Sequence, residues 1–301
     1  MRTRIECPVN FLQVQDLDVL LDDYGIVVDR EDPECIIVNP GTDVFLGEQY
    51  FAKYPNLKIV GTPSTGVNHL DTAYLRGRGV SVKCLLDNRG VLENIHASAE
   101  FTWLHIMNAF RKFIPAVERV QHWRDDHNEK FLRSNELAGK TIGIVGLGRI
   151  GRKIAKYATA FGMKIVYYDP YVSSYQYNRT FSLTNMQNVD ILCISCYLTE
   201  ETRGFIDKGV LDGFKDGLIV VNTSRGEVVN ENYIYDLVVN DKIFYSCDVL
   251  CNEQDINTLS KSSLFNLKRD NIVITPHVAG ATIESQTKAL RGILELCTKS
   301  R

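Results

Sequence analysis

The sequence lacks several features that would each point to a particular class of protein. None of the apolar runs in its 301 residues approaches the about 20 residues that a membrane-spanning helix needs, so we expect no membrane partner. Basic charge is not in excess, because 34 Lys and Arg stand against 37 Asp and Glu, and this balance argues against nucleic acid as a partner. The start, "MRTRIECPVNFLQ", lacks the long apolar core of a secretory signal. We therefore expect a cytoplasmic protein.

Cysteine is abundant, yet its setting argues against disulfides and metal sites. Eight cysteines in a chain that starts without a secretory signal suggest reduced thiols. Two of them, Cys193 and Cys196, form the motif "CISC", a spacing that metal and redox sites use. The surrounding "VDILCISC" has the composition of a strand, in which residues three apart point to opposite faces. We therefore expect neither a metal nor a disulfide at this pair, and no metal in the functional site.

Short β-rich runs alternate with helical patterns along most of the chain. The runs cover residues 3–9, 25–29, 35–39, 57–61 and 80–85, and then 140–146, 163–169, 189–195, 217–224, 243–249 and 271–275. Strands that alternate with helices predict parallel sheets covered by helices on both faces. Because the two series are separated, we predict two α/β units that divide near residue 100.

A long amphipathic segment lies between the two series. It reads "ASAEFTWLHIMNAFRKFIPAVERVQHW", spans residues 97–123, and is interrupted at Pro115. Its length suits a helical segment that connects two domains better than one more crossover helix. A polar stretch follows it before the second series of strands begins.

The second series opens with a glycine-rich turn between a strand and a helix. In "TIGIVGLGRIGRKIAKYATAFGMKIVYYDPY", Gly146, Gly148 and Gly151 form the pattern G-x-G-x-x-G. In a dinucleotide site the first glycine permits the tight turn, the second lets the backbone approach a pyrophosphate, and the third lets helix and strand pack closely. The start of the helix then offers N–H groups to the phosphates. The motif alone is weak, but its strand–turn–helix setting favours a nucleotide-binding domain.

An acidic residue at the end of the next strand specifies the nucleotide. Asp169 follows "MKIVYY", eighteen residues after Gly151. A carboxylate at this position can accept hydrogen bonds from the adenosine ribose and would repel a 2′-phosphate. The sequence therefore predicts NAD as the cofactor in preference to NADP.

Charged or titratable residues follow three later strands. Arg225 lies in the turn of "VVNTSRGEVVNE", Asp248 and Glu253 lie in "SCDVLCNEQ", and His277 lies in "ITPHVAG". A single histidine at the mouth of a buried strand is more often a capping or packing residue than a catalytic one. In an open parallel sheet, however, ligands bind outside the carboxyl ends of the strands. We therefore expect these side chains to lie at the same edge as the nucleotide.

The order and spacing of these segments resemble a known family. The runs "VGLGRIGRKIA", "VVNTSRGEVVNE", "CDVLCNE" and "ITPHVAGAT", with "PSTGVNHLD" and "ASAEFT" before them, are similar to the NAD-dependent D-isomer-specific 2-hydroxyacid dehydrogenases. The resemblance implies that Arg225, Glu253 and His277 are catalytic. It implies further cofactor contacts at Gly146, Gly148, Arg149, Ile150, Gly151, Asp169, Cys196, Thr223, Ser224, Asp248 and Gly280. Substrate contacts are implied at Ser64, Thr65, Gly66, Val67 and Arg225.

The family also implies an architecture. A flavodoxin-like substrate domain would comprise residues 1–100, completed by 281–301, and a Rossmann domain would comprise residues 101–280. The final helix would return to the first domain, no regulatory domain would follow, and a homodimer would form through the nucleotide domain and the 97–123 segment. Two departures from the family pattern, Tyr197 and Gln254, stand where proline is common and concern only the shape of local loops.

The implied chemistry gives His277 a role. A 2-hydroxyacid and a 2-ketoacid interconvert by hydride transfer together with exchange of the hydroxyl proton, and an ordinary histidine titrates near neutral pH, at about 6.5. Glu253, if hydrogen-bonded to the imidazole, would favour its charged form and orient it, and Arg225 would bind the substrate carboxylate. The alternative is an NAD(H)-responsive binding protein of the corepressor type, which would have no physical need for all three residues.

Overall fold

The computed structural model describes residues 1–6, 12, 14–39, 45–67, 69–123, 125–174, 176–253 and 256–299. The chain separates into two compact units. One comprises the described residues of Met1–Ile95 and Gly280–Arg301 together with Ile256, and the other comprises those of His96–Glu253 and Asn257–Ala279. Residues 7–9 of the predicted first strand, and Gln254, lie outside the described ranges. Among the described residues, no helix combines the length and the apolar character that a membrane crossing requires.

The first unit is built on a parallel sheet with helices on both faces. Its strands are β1 (Arg2–Glu6), β2 (Val27–Val28), β3 (Cys35–Val38), β4 (Ile59–Thr62) and β5 (Ser81–Cys84), and its helices are α1 (Val14–Asp23), α2 (Glu48–Phe51), α3 (Thr72–Gly77), α4 (Arg89–Glu93) and α12 (Ile283–Thr298). The strand order is β2-β1-β3-β4-β5, and these strands pair in parallel. This order is the flavodoxin-like one.

The two faces of this sheet bury alternate residues of its central strand, β3. Cys35 and Ile37 pack with Ile293 of α12, while Ile36 and Val38 join a separate apolar cluster with α2 and α3. All four residues of β3 are buried, as expected for a central strand covered on both sides. Because successive side chains of a strand point to opposite faces, a short apolar run supplies both halves of the core.

The second unit is a larger parallel sheet. Its strands are β6 (Thr141–Val145), β7 (Lys164–Tyr168), β8 (Asn178–Thr180), β9 (Ile191–Ile194), β10 (Leu218–Asn222), β11 (Ile243–Cys247) and β12 (Ile272–Ile274). Its helices are α5 (Ala97–Arg111), α6 (Phe113–Glu118), α7 (Asp126–Leu132), α8 (Arg149–Ala160), α9 (Lys208–Leu211) and α10 (Glu231–Val239), and a short helix α11 spans Ile256–Leu259. The order is β12-β11-β10-β9-β6-β7-β8. The prediction of two doubly wound parallel sheets is confirmed.

The order of this second sheet is the Rossmann order with one further strand. The chain leaves β6 toward β7 on one side and returns to β9 on the other, so the topology switches direction at β6. Ligands of such sheets bind outside the carboxyl ends of the strands beside the switch point. The glycine-rich turn of the sequence lies at that place.

The long helical segment breaks earlier than its sequence suggested. Helix α5 ends at Arg111, and Lys112 adopts φ +51° before α6 begins. The Asn108 side chain accepts a hydrogen bond from the Ile114 backbone N–H and so bends the chain back. The predicted interruption at Pro115 is wrong, because this proline lies in the first turn of α6, where its missing N–H costs no helical hydrogen bond.

Candidate active site

The turn between β6 and α8 uses its three glycines for different purposes. Gly146 has φ +91°, and a Cβ on it would lie 2.9 Å from the backbone of Cys196. A Cβ on Gly151 would lie 2.1 Å from the carbonyl oxygen of Gly146. Gly148 differs, because a Cβ there would meet nothing within 4 Å. The fold therefore requires two of the glycines, while the third keeps the space in front of the turn open.

That open space fits the pyrophosphate of a dinucleotide. Gly148 is the N-cap of α8, and no side chain caps the first turn of this helix. The start of the helix and the positive end of its dipole favour an anion at this place. Arg149 and Ile150 are partly exposed at this helix start, where the sequence placed them. The shape and the charge of the turn both suit NAD.

The Asp169 side chain is more buried, and makes more hydrogen bonds within the protein, than its sequence position suggested. The residue is 8% exposed. One oxygen, Oδ2, accepts a hydrogen bond from the Leu147 backbone N–H at 2.8 Å, and Oδ1 accepts two more from Tyr171 and Val172. A carboxylate has about four lone-pair positions, of which one holds the nucleotide turn at Leu147 and two hold the loop that follows β7. The position remaining can accept a ribose hydroxyl.

The turn that carries Arg225 is shaped by a buried asparagine. Asn222, at the end of β10, is fully buried. Its amide nitrogen donates to the Arg225 carbonyl at 2.9 Å, and its amide oxygen accepts from both the backbone and the hydroxyl of Ser224. A Cβ on Gly226 would lie 2.1 Å from the Leu250 backbone. The Arg225 turn therefore packs directly against the loop that follows β11.

Asp248 joins the loops after β11 and β12. This residue is 1% exposed, and its Oδ1 accepts hydrogen bonds from the Thr275 hydroxyl at 2.5 Å and from the Val278 backbone N–H at 3.0 Å. Its Oδ2 accepts from the Ala279 N–H at 2.8 Å. A buried carboxylate requires such partners. The three bonds hold the backbone on both sides of His277.

His277 and Glu253 form a hydrogen-bonded pair at this edge of the sheet. The distance between His277 Nδ1 and Glu253 Oε1 is 2.5 Å, and the Leu250 N–H donates to Glu253 Oε2. The histidine side chain is 48% exposed and the glutamate side chain 16%. Within the described part of the chain, Nε2 of His277 has no hydrogen-bond partner. One ring nitrogen is thus fixed by an anchored carboxylate, and the other is available to exchange a proton.

His277 also has an unusual backbone conformation. Its φ is +52°, a left-handed conformation that is uncommon for residues other than glycine. The residue lies between Pro276 and the Val278 N–H that Asp248 holds. Such conformations persist where the surrounding structure fixes them, and they concentrate at functional sites.

The predicted substrate loop belongs to the first unit and follows β4. Ser64 donates a hydrogen bond from its hydroxyl to the Gly66 carbonyl at 2.6 Å, and its own carbonyl accepts from the Leu85 N–H. Thr65, Gly66 and Val67 are partly exposed. The loop is therefore closed by its own hydrogen bonds and keeps part of its backbone accessible.

The remaining predicted residues are placed as follows. Thr223 shares a hydrogen bond of 2.6 Å with Thr102 of α5, Gly280 is exposed, and Cys196 is partly buried. Burial raises the pKa of Cys196 to about 12, so this residue is a neutral thiol. Of the two departures from the family pattern, Tyr197 is exposed, and Gln254 lies outside the described residues.

The two cysteines of "CISC" pack on opposite faces of the sheet. Cys193 belongs to the apolar cluster that includes α5 and α8, and Cys196 packs against the cluster on the other face. Both are free thiols. Among the described residues, no group of three or more His, Cys, Asp or Glu side chains is arranged to hold a metal ion.

Sequence reasoning missed Asn222, which shapes the Arg225 turn. The signal was present, because "LIVVN" ends an otherwise apolar strand with an amide. A polar residue at the last position of a buried strand must find hydrogen-bond partners, and the nearest are the backbone groups of the following turn.

Comparison with known proteins adds an independent observation. The family model for the NAD-binding domain of the D-isomer-specific 2-hydroxyacid dehydrogenases matches residues 103–279. The D-3-phosphoglycerate dehydrogenase of Mycobacterium tuberculosis is 32% identical over 271 residues, which cover 87% of this chain and 48% of that protein. The chain thus spans about half the length of this curated relative. The hydroxypyruvate reductase of Thermotoga maritima is 31% identical over 77% of this chain and 74% of its own length.

A solved structure agrees with these sequence relatives. The D-lactate dehydrogenase of Aquifex aeolicus, crystallised with NAD and lactic acid, superposes with a TM-score of 0.77 and 25% identity. The match covers 100% of this chain and 94% of that one.

Proposed function

The chain belongs to the D-isomer-specific 2-hydroxyacid dehydrogenase family, and from this premise we propose that it interconverts a D-2-hydroxyacid and a 2-ketoacid with NAD(H). Residues 103–279 match the family's NAD-binding domain. The observation that carries the proposal is the pair of His277 and Glu253, 2.5 Å apart, with the second ring nitrogen of the histidine unengaged. A proton donor and acceptor of this kind is what the reaction needs besides the cofactor.

His277 exchanges the proton in this proposal. When it is bound, NAD(H) supplies or accepts the hydride. During reduction His277 donates a proton from Nε2 to the carbonyl oxygen of the ketoacid, and during oxidation it removes the hydroxyl proton. Glu253 accepts a hydrogen bond from Nδ1, so it fixes the ring orientation and stabilises the protonated ring. The Leu250 N–H in turn anchors Glu253.

Arg225 binds the substrate carboxylate in the same proposal. A guanidinium forms charge-assisted, bidentate hydrogen bonds with carboxylates. Asn222 and Ser224 hold the backbone of its turn, which limits the positions that the side chain can reach. The loop of Ser64, Thr65, Gly66 and Val67 is proposed to offer backbone N–H groups to a carboxylate. The first unit would accordingly be the substrate domain and the second the cofactor domain.

We further propose that NAD is preferred to NADP and that the active form is a homodimer. The preference follows from the negative charge of Asp169 beside the nucleotide turn, which would repel a 2′-phosphate. An apolar surface supports the homodimer, since Phe113, Val117, Val120 and Trp123 are between 56% and 78% exposed. A second copy of the chain would bury this surface. The seven described cysteines are free thiols, which supports the proposal of a reducing, cytoplasmic location.

The test is the oxidation of NADH by a panel of 2-ketoacids. The purified chain is mixed with NADH and, in separate assays, with glyoxylate, pyruvate, hydroxypyruvate and longer or more acidic 2-ketoacids, and absorbance is followed at the NADH band. We expect at least one 2-ketoacid to be reduced to the D-hydroxyacid. Tight NADH binding without reduction of any ketoacid would contradict the proposal and favour the NAD(H)-responsive binding protein.

A further inference from the structure

A second histidine lies buried beside the loop that carries His277. His105, on α5, is 3% exposed. Its Nδ1 lies 2.7 Å from the Ser246 hydroxyl on β11, and its Nε2 lies 3.0 Å from the Thr275 hydroxyl after β12. Burial lowers the pKa of His105, although the Asp248 carboxylate opposes this effect. The ring is therefore neutral at neutral pH and links a helix to two strands.

The neighbouring groups determine where the proton of this neutral ring resides. Besides His105, the Thr275 hydroxyl contacts the Asp248 carboxylate at 2.5 Å and the Cys247 carbonyl at 3.4 Å. Both of these partners can only accept, so the hydroxyl hydrogen of Thr275 points to one of them. The hydroxyl must then accept from Nε2–H of His105. It follows that Nδ1 is unprotonated and accepts a hydrogen bond from Ser246.

The hydrogen bonds therefore run in one direction toward the His277 loop. Ser246 donates to His105, His105 donates to Thr275, and Thr275 donates to Asp248. The same carboxylate accepts the backbone N–H groups of Val278 and Ala279. These two amides follow His277 directly, so the series ends on the backbone that holds His277 in its left-handed conformation.

Helix α5 also makes a hydrogen bond to the turn that carries Arg225. Thr102, three residues before His105 and on the same helix face, shares a hydrogen bond of 2.6 Å with Thr223. Thr223 precedes Arg225 by two residues, as Thr275 precedes His277 by two. One face of this helix thus contacts the threonines that lead into both loops.

We propose that His105 is a positioning residue for His277, acting through Thr275 and Asp248. This inference rests on the proposed function, because it assigns His277 to proton exchange. His105 touches neither substrate nor cofactor in the proposal. It keeps Thr275 oriented so that Asp248 can hold the Val278 and Ala279 amides, and the imidazole of His277 then stays aligned with Glu253.

The test compares variants by amide hydrogen exchange and by kinetics. His105→Leu removes both hydrogen bonds of the ring, and His105→Gln keeps a side-chain N–H that can donate to Thr275. Ile106→Ala is the matched control, because this neighbouring residue of α5 is fully buried and its truncation loosens the core without removing a polar contact. Hydrogen–deuterium exchange is measured by mass spectrometry on a peptide that contains Val278 and Ala279, without substrate.

The proposal expects a local effect. In His105→Leu the Val278 and Ala279 amides should exchange about tenfold faster than in Ile106→Ala, which corresponds to the loss of one buried hydrogen bond. The kcat for ketoacid reduction should fall by roughly ten- to a hundredfold as His277 loses alignment, with little change in the KM of the ketoacid. His105→Gln should recover most of these losses.

If the Val278 and Ala279 amides exchange at the same rate in His105→Leu as in Ile106→Ala, the proposal is wrong. If His105→Leu does not fold, Thr275→Val interrupts the same series one step later, and unchanged exchange in that variant would overturn it equally. The exchange readout needs no turnover. An unmutated protein that reduces no ketoacid would therefore refute the proposed function without deciding the structural role of His105.

Discussion

At the scale of residues, the proposed chemistry depends on side-chain type and on backbone conformation together. The sequence singled out His277, Glu253 and Arg225 because each follows a strand of a parallel sheet, and family resemblance suggested the roles proposed for them. It could not reveal the φ of +52° at His277, since this conformation depends on the hydrogen bonds that Asp248 accepts from the Val278 and Ala279 backbone N–H groups. Nor did it reveal the ring of His105, whose position among apolar residues of a helix predicts only burial.

The first prediction concerns His277 itself. His277→Gln should lower kcat for 2-ketoacid reduction by roughly 10²–10⁴-fold, the range expected when a general acid–base group is lost. NADH should still bind with similar affinity, because the nucleotide turn lies on another loop. Steady-state kinetics and NADH fluorescence titration measure the two effects. The control is His127→Gln, which replaces an exposed histidine of α7. Near-normal turnover of His277→Gln would mean that His277 is a packing residue and does not exchange the proton.

At the scale of elements, the buried strands were predicted more accurately than the edge strands. The buried runs at 35–39 and 163–169 became β3 and β7 within one residue at each end, because apolar β-branched runs leave little alternative. The strand expected at 25–29 shrank to the exposed pair Val27–Val28 at a sheet edge. The polar strand β8, "NRT", was missed. Edge strands bury few side chains, so hydrophobic pattern cannot detect them.

A second prediction separates two glycines of one turn. Gly148→Ala should leave the free energy of unfolding unchanged or raise it by about 0.4–1 kcal/mol, because Gly148 has φ −72° and open space. It should weaken NADH binding by about 1–3 kcal/mol, or roughly 5- to 150-fold in Kd. Gly151→Ala should instead lower the free energy of unfolding by about 1–3 kcal/mol, since its Cβ would collide with Gly146.

Urea unfolding and NADH titration measure this pair of effects, and each variant serves as the control for the other. A Gly148→Ala variant that binds NADH normally would mean that the pyrophosphate does not approach the turn. A Gly151→Ala variant of undiminished stability would contradict the close packing of α8 against β6.

At the scale of the whole molecule, general rules limit the possible strand orders but do not choose among them. Alternating strands and helices with right-handed crossovers restrict the topology to a few doubly wound orders. Among these, the flavodoxin-like and Rossmann orders came from family resemblance and not from composition. Helix α12 packs Leu290, Ile293 and Leu294 into the core of the first unit, although it follows the second unit in sequence. The amphipathic pattern of this helix predicts a buried face but not which sheet buries it.

A third prediction tests the proposed homodimer. Val117→Glu should raise the dimer dissociation constant at least about a hundredfold, because burial of an unpaired carboxylate costs several kcal/mol. Sedimentation velocity over a concentration series measures the change. Val19→Glu on α1 is the control, since this valine is also highly exposed, at 62%, but lies outside the proposed surface. Identical sedimentation of Val117→Glu and the unmutated chain would exclude this surface as the interface.

The central claim is that Glu253 and His277 act as a coupled pair in proton exchange. Reduction of a ketoacid needs a proton from His277 in this account, and the Glu253 carboxylate holds Nδ1 of the ring. Glu253→Gln removes the charge while it keeps most of the shape. The variant should therefore lose part of the activity that depends on His277, and this loss should disappear when His277 itself is replaced.

The most direct test is therefore a double-mutant cycle on kcat for ketoacid reduction at saturating NADH, measured for the unmutated chain, Glu253→Gln, His277→Gln and the double variant. The account predicts that Glu253→Gln lowers kcat by roughly tenfold or more in the unmutated chain and has little further effect when His277 is already replaced. An equal loss from Glu253→Gln in both backgrounds would contradict the coupling of Glu253 and His277.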